Sequence, residues 1–140
     1  MTTGPFHLEV TLPSDIQRGL QVQEQILVEL HRRGYGEHDC FCVRLALEEG
    51  IINAIKHGNK FDAAKSVKIV ATVSDTEANF LIEDEGTGFR PEEVPDPTAD
   101  ENLEKPSGRG LMLMRSFMSA VDYNQRGNRL TMSKARTRDS

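Results

Sequence analysis

No stretch of this 140-residue sequence stays apolar for the roughly 20 residues that a membrane-spanning helix needs. The opening Met1–Pro5 lacks the basic-then-apolar order of a signal peptide, so the expectation is a cytoplasmic protein with no membrane partner. There are only two cysteines, Cys40 and Cys42, two apart in a segment that reads as helix, where their side chains point apart. No disulfide between them is expected, and no zinc spacing exists. An excess of basic residues is also missing: 17 Lys and Arg stand against 22 Asp and Glu, for a net charge of −5 and a pI near 5.4. A phosphate backbone demands clustered cations, so direct nucleic-acid binding is not expected. With no internal repeat and no low-complexity tract, the length fits one domain, with a core over residues 6–134.

What is present alternates between two periodicities. Phe6, Leu8, Val10 and Leu12 interleave with His7, Glu9 and Thr11, the pattern of a half-buried strand ended by Pro13. Ser14 is expected to cap a helix with its apolar stripe at Ile16, Leu20, Ile26, Leu27 and Leu30, which Gly34 stops. A second helix is expected from about Asp39 to His57, turning Phe41, Leu45, Ile52 and Ile55 to the core and stopping at Gly58-Asn59. Val67–Val73 and Asn79–Glu83, separated by Ser74-Asp75-Thr76-Glu77, read as a hairpin. The polar, proline-rich stretch 85–107 is too long for a mere connection and reads as a mobile loop. A helix carrying Leu111, Met112, Met114, Phe117 and Met118 follows, its methionines read as core filler. Two strands near Val121–Asn124 and Arg129–Ser133 flank Arg126-Gly127-Asn128, and the tail beyond Lys134 is expected to fray. Helices gathered on one face of a mostly antiparallel mixed sheet give an α+β fold, a two-layer sandwich.

Three short motifs can carry chemistry. Glu49 and Asn53 are four apart on the second helix and emerge from one face a turn apart, with Lys56 and His57 beyond them. That face holds a carboxylate, an amide and a cation. An amide oxygen is a neutral hard donor suited to Mg²⁺, which keeps several waters and takes further ligands from nucleotide phosphates. A carboxylate one turn away can accept a hydroxyl proton. Asp84-Glu85-Gly86-Thr87-Gly88 sets an acid at a strand end before glycines that permit close backbone approach, so the carboxylate can receive a base's amino protons. Ser107-Gly108-Arg109-Gly110 leads into a helix, whose unpaired N–H groups and dipole favour an anion such as phosphate. Singly, these are a solvated helix face, an acidic turn and a flexible helix entry. Together, and in this order, they are what a nucleotide pocket needs.

The stretch from Glu49 through Asn53, Lys56 and His57 to Gly58 resembles the N box of the Bergerat-fold, or GHKL, ATPase superfamily. Asp84 to Phe89 resembles its first glycine box and Gly108-Arg109-Gly110-Leu111 its second. The likeness, from about Phe6 to Lys134, is to the stand-alone anti-sigma-factor serine-protein kinases. It implies ATP and Mg²⁺ as cofactors. Asn53 would bind the metal and Asp84 would hydrogen-bond the adenine amino group. Gly86, Gly88, Gly108 and Gly110 would shape the pocket and a lid over 85–107, with Arg109 near the phosphates and Lys56 also facing the nucleotide. Glu49 would act as general base toward a serine or threonine of a STAS-domain anti-anti-sigma protein, with Mg²⁺ on the β- and γ-phosphates.

Asp96-Pro97-Thr98 and Asn102-Leu103 are similar to the lid of these stand-alone members. Gyrase-type and mismatch-repair ATPases need transducer domains, and a sensor histidine kinase needs a phosphoacceptor helix pair for which the 48 residues before Glu49 leave no room. Asn128 departs from the pattern where relatives often carry a threonine that assists adenine recognition. A sigma factor is the second expected partner. A homodimer through the Phe6–Leu12 edge or the first helix is a further expectation. The competing reading is a nucleotide-dependent binding module without phosphoryl transfer.

Overall fold

The computed structural model describes residues 4–86 and 108–137. Five strands, β1 (Phe6–Pro13), β2 (Ser66–Val73), β3 (Glu77–Asp84), β4 (Ala120–Tyr123) and β5 (Arg129–Ala135), form one sheet in the order β1-β2-β3-β5-β4. Three helices, α1 (Ile16–Arg32), α2 (Glu37–Ile52) and α3 (Gly108–Phe117), accompany it, and α2 runs on into a π-helical segment, Asn53–Gly58. This is the expected α+β two-layer sandwich. All four strand pairings are antiparallel, so the parallel pair that a mixed sheet would contain is absent among the described residues.

Alternation along the strands separates the two faces of the sheet. On β2, Val67, Ile69, Ala71 and Val73 are buried, and on β3 Ala78, Phe80, Ile82 and Asp84 are. Ile26 and Leu30 of α1, Leu47 and Ile51 of α2 and Met114 of α3 close over them, all fully buried. The opposite sheet face is solvated and carries charged side chains, such as the Arg129 Nε to Glu83 ion pair at 3.0 Å. Met114 and Met118 are core residues, as expected of polarizable gap-fillers, whereas Met112 is exposed.

Two expectations about the helices are corrected. Asp15, not Ser14, caps α1, its Oδ1 accepting from the backbone N–H of Gln17 at 2.9 Å. Ser14 is engaged elsewhere: its Oγ donates to the Lys65 carbonyl and accepts from Asn59 Nδ2, each at 3.0 Å. The core stripe of α2 runs through Val43, Leu47 and Ile51 and continues to Ile55. Phe41 is 51% exposed, stacked edge-on to Phe117 of α3, and Leu45 and Ile52 are only half-buried. Gly34 does end the α1 turn, with a φ of 87° that its missing Cβ permits.

The tail is held rather than frayed as far as Thr137. Asp39, 1% exposed at the start of α2, accepts from Thr137 N at 2.8 Å and from Thr137 Oγ1 at 2.6 Å. Arg136 donates to the Gly34 and Asp75 carbonyls and lies over the Tyr35 ring. Burial alone would raise the pKa of Asp39, but the Thr137 hydrogen bonds and the nearby Lys134 outweigh it and leave the carboxyl below the usual range. A lowered native pKa stabilises the fold above the unfolded value, near 3.8, and that support is lost as pH falls through the native value. Asp39→Asn is therefore expected to cost about 1–3 kcal/mol in urea unfolding at pH 7. The gap from the parent chain should narrow below pH 4, and a gap independent of pH would contradict this role.

Candidate functional site

Asp84, the last residue of β3, points to the helix side, where its carboxylate meets the end of the π-helical segment. A Cβ on Gly58 would lie 2.4 Å from Asp84 Cγ, so the absence of a side chain at Gly58 is what makes room for the carboxylate. A Cβ on Gly86 would come within 2.0 Å of the Gly58 carbonyl oxygen, so the two backbones touch there. The Gly86 N–H donates back to Asp84 Oδ1 at 2.8 Å. The Asp84 carboxyl is 8% exposed, and burial pushes its pKa up to about 6, against the opposing pull of the Gly86 hydrogen bond.

Side-chain amides pin the junction on both sides. Asn59, fully buried, donates through Nδ2 to Ser14 Oγ and the Ser66 carbonyl and accepts from Glu85 N at 2.8 Å. Asn128 donates from Nδ2 to the Asp84 carbonyl at 3.1 Å, while its Oδ1 accepts from Asn124 Nδ2 at 2.9 Å. Asn128 thus holds the β3 end through the backbone. Arg126 Nη2 reaches the Gly86 carbonyl at 3.3 Å.

Glu49 is half-buried on the last turns of α2, and Asn53, one turn on, is 5% exposed. Gly50 lets this part of α2 settle onto the sheet: a Cβ there would stand 2.8 Å from Leu130 Cδ2 and 2.9 Å from Ile82 Cδ1. Tyr123, at the end of β4 and paired with Leu130, is half-buried and within electrostatic reach of Asp84, Glu49 and Arg115. Burial, first among these influences, raises the Tyr123 pKa. Asn53 Nδ2 has no hydrogen-bond partner among the described residues. A buried amide with an unsatisfied N–H group fits a side chain that meets an external ligand.

Glu49 and Asp84, which the sequence singles out, both act electrostatically on Tyr123, and Asn53 follows Glu49 by one turn on the helix that ends at Gly58. Lys56 is solvent-exposed on the π-helical segment, unlike the buried Asn53. Gly108, Arg109 and Gly110 form the first turn of α3 itself rather than a lead-in to it, so the N–H groups without intrahelical partners belong to these residues. The Arg109 side chain, Gly88 and the lid segment 87–107 lie outside the described residues. Tyr123, Asn59 and Gly58 were not assigned site roles from sequence. Gly58 carried a signal, a glycine at a helix end, but its reason is the Asp84 carboxylate, far along the chain.

A family model described as a histidine kinase-like ATPase domain matches residues 12–134. The chain belongs to this family. Within it, the sequence is 34% identical over 98 residues to the anti-sigma F factor of Clostridium perfringens, covering 66% of this chain and 69% of that protein. It is 28% identical over 97 residues to the serine/threonine-protein kinase BtrW of Bordetella bronchiseptica, covering 66% and 68% of the two chains. The serine-protein kinase RsbW of Oceanobacillus iheyensis is 26% identical over 111 residues, covering 74% and 70%. A crystal structure of the RsbU and RsbW domains of Rv1364c from Mycobacterium tuberculosis superposes with a TM-score of 0.61 at 19% identity, over 95% of this chain and 32% of that longer one. The sequence resemblance to the anti-sigma-factor serine-protein kinases, and the fold it implies, hold for this histidine kinase-like ATPase domain.

Two substitutions test the junction. An Asp pKa raised from 3.8 to about 6 in the fold means that ionisation costs stability. The cost is absent below pH 4, grows between pH 4 and 6 and is complete above. Asp84→Asn should therefore stabilise the nucleotide-free protein at pH 8 by about 1–3 kcal/mol and leave it unchanged at pH 3.5, by thermal or urea unfolding. Gly86→Ala should act oppositely, because its Cβ meets a backbone carbonyl that cannot swing aside. A loss of about 3 kcal/mol is expected in the same assay, and a neutral result would contradict the close approach.

Proposed function

We propose that this domain binds ATP with magnesium and transfers the γ-phosphoryl group to a serine or threonine of a STAS-domain anti-anti-sigma protein, and that it sequesters a sigma factor in the cytoplasm when that partner is not available. The observation that carries the reading is the buried Asp84 carboxylate seated against Gly58 at the end of the helix that carries Glu49 and Asn53 one turn apart, in a chain of the anti-sigma kinase family. Asp84 receives the adenine amino protons; its buried carboxylate lacks the water that would otherwise compete. Asn53 is the protein's ligand to magnesium, which neutralises charge on the phosphates when bound. Among the described residues no group of three or more His, Cys, Asp or Glu converges as a metal cage. One amide ligand, with phosphates and water supplying the rest, matches magnesium chemistry. Gly86, Gly88, Gly108 and Gly110 shape the pocket and its lid, and Lys56 and Arg109 serve the phosphates.

Glu49 takes the proton of the attacking hydroxyl. The oxygen–phosphorus bond forms as the bond from the γ-phosphorus to the bridging oxygen breaks, and ADP leaves with that oxygen. A carboxylate on the edge of the buried site, half-exposed, can meet a protein substrate without losing its charge. Among the described residues β1 pairs only with β2 and leaves an open edge, which is the surface proposed for a homodimer.

Labelled Mg-ATP incubated with candidate STAS proteins tests the reading. Transfer is expected from the parent chain, with Glu49→Ala slowing it by about 10²-fold or more while ATP still binds. Asn53→Ala should remove magnesium-dependent binding. Transfer at the parent rate by Glu49→Ala would remove the general-base assignment, and ATP binding without transfer to any STAS protein would leave a regulatory binding module.

A further inference from the structure

The turn that follows the π-helical segment is strained in a way that its hydrogen bonds do not explain. Lys60 and Phe61 both have left-handed backbones, with φ of 52° and 59°, a region that glycine enters freely and that a Cβ resists. The turn is nonetheless well held. Asn59 N donates to the Ala54 carbonyl at 2.8 Å, Phe61 N to the Ile55 carbonyl at 2.9 Å and Asp62 N to the Asn59 carbonyl at 3.0 Å. Lys65 N donates to the Asp62 carbonyl at 3.0 Å, and Asp62 Oδ1 accepts from Ala64 N at 2.9 Å. None of these bonds uses the side chain of Phe61, so glycine at that position would keep them all. Nor does the core account for the ring, which is 54% exposed. A rigid turn therefore presents an aromatic side chain to solvent at a position where a glycine would sit with less strain, the kind of outlier that marks a function.

The charge around the ring is mostly of one sign. Lys56, Lys60, Lys65 and Lys68 put four of the chain's six lysines within residues 56–68, against the single acid Asp62, in a protein whose net charge is −5. Lys68 pairs with Glu9 across the sheet at 3.4 Å, whereas Lys56 is exposed and Lys65 half-buried. The bond from Phe61 N to Ile55 sets residue 61 beside Lys56, and the turn from Asp62 to Lys65 brings Lys65 back on its other flank. We propose that Phe61 is the anchor of a docking surface for the protein phosphoacceptor, which meets it with an apolar pocket rimmed by acidic side chains. The proposal rests on the phosphoryl-transfer reading. A ring on a rigid turn loses little freedom on binding, as an interface hot spot requires, and flanking cations steer an acidic partner and fix its orientation. The place suits a substrate that must come to the nucleotide: Asn59, two residues before the ring, accepts from Glu85 N at 2.8 Å, and Gly58 lies against Asp84. A membrane is a poorer occupant, because one ring with two flanking cations falls short of the two signals that stable anchoring takes. Nucleic acid needs more cations than this acidic chain gathers here.

Phe61→Gly removes the ring and relieves the left-handed strain, and Phe61→Tyr keeps an aromatic ring in place. Transfer from labelled Mg-ATP is measured at increasing concentrations of a STAS protein that the parent chain phosphorylates, with calorimetric ATP binding and thermal unfolding alongside. In Phe61→Gly the KM for the protein substrate should rise about tenfold or more, while kcat and the Kd for ATP keep their parent values. Its Tm should stay within about 4 °C of the parent's or exceed it. Phe61→Tyr should keep the parent KM, and the parent KM should rise with salt, as acidic groups meeting lysines require. A Tm lower by more than that margin makes the ring part of the fold and overturns the proposal, as does a KM indifferent to salt. Cosedimentation of the parent chain, but not of Phe61→Gly, with phosphatidylserine vesicles overturns it in favour of a membrane surface. If the parent chain transfers to no STAS protein, the phosphoryl-transfer reading fails and this inference with it. Parent transfer with a KM untouched in Phe61→Gly removes only the docking role.

Discussion

The contact on which the rest of this structure depends is a backbone approach that only two glycines allow. Gly58 and Gly86 meet beneath the Asp84 carboxylate, one from the end of a helix and one from the end of a strand. Any side chain at either position would separate the helical layer from the sheet where the carboxylate is enclosed. Asn59 and Asn128 then secure the junction from opposite sides, bonding the residues on either side of it through backbone groups that the sheet no longer pairs. The arrangement keeps the polar backbone at this end of the sheet satisfied.

Much of this local arrangement works against stability. Ionising a buried carboxylate, leaving an amide N–H group unpaired and winding the helix end as a π-turn each cost free energy that an ordinary helix and strand end would not. These costs are offset by the regular core under α1 and α2, where Ile26, Leu30, Leu47 and Ile51 are fully enclosed. Unfavourable groups concentrated at one end of an otherwise consistent fold are in keeping with the ligand site proposed there.

The sequence made legible what is local or periodic. The alternation in Phe6–Leu12, the hairpin around Ser74-Asp75-Thr76-Glu77 and the stop at Gly34 depend on neighbours in the chain, and the structure places each close to its expected position. The phase of α2 was not legible, because Cys40, Phe41, Cys42, Val43, Leu45, Ala46 and Leu47 are apolar nearly all round the helix. Which of them faces inward depends on where α3 lies against it, and Phe41 goes outward onto Phe117. The cap of α1 fell one residue late because Ser14 and Asp15 are both good caps, and Ser14 was claimed by a loop 45 residues away. Tyr123 and Asn59 carry no short-range signature. Their partners are set by strand order and helix placement, which no local pattern records.

The charge balance of the chain sharpens how such a site must work. A protein with a net charge of −5, with Glu49 and Asp84 beside the proposed pocket, does not attract a nucleotide by its overall field. That field is screened beyond about 8 Å at physiological salt, so what matters is the charge within a few ångströms of the phosphates. The described structure offers few fixed cations there. The first turn of α3 contributes unpaired N–H groups and a partial positive charge of about half a unit, and a single neutral amide contributes none. Under the proposed function, most of the compensation for the phosphates has to arrive with the divalent cation. A neutral amide ligand such as Asn53 would let that ion keep its full charge for the phosphates, where a carboxylate ligand would spend part of it. In an acidic chain, that neutrality would spare the proposed site a further negative charge at the metal.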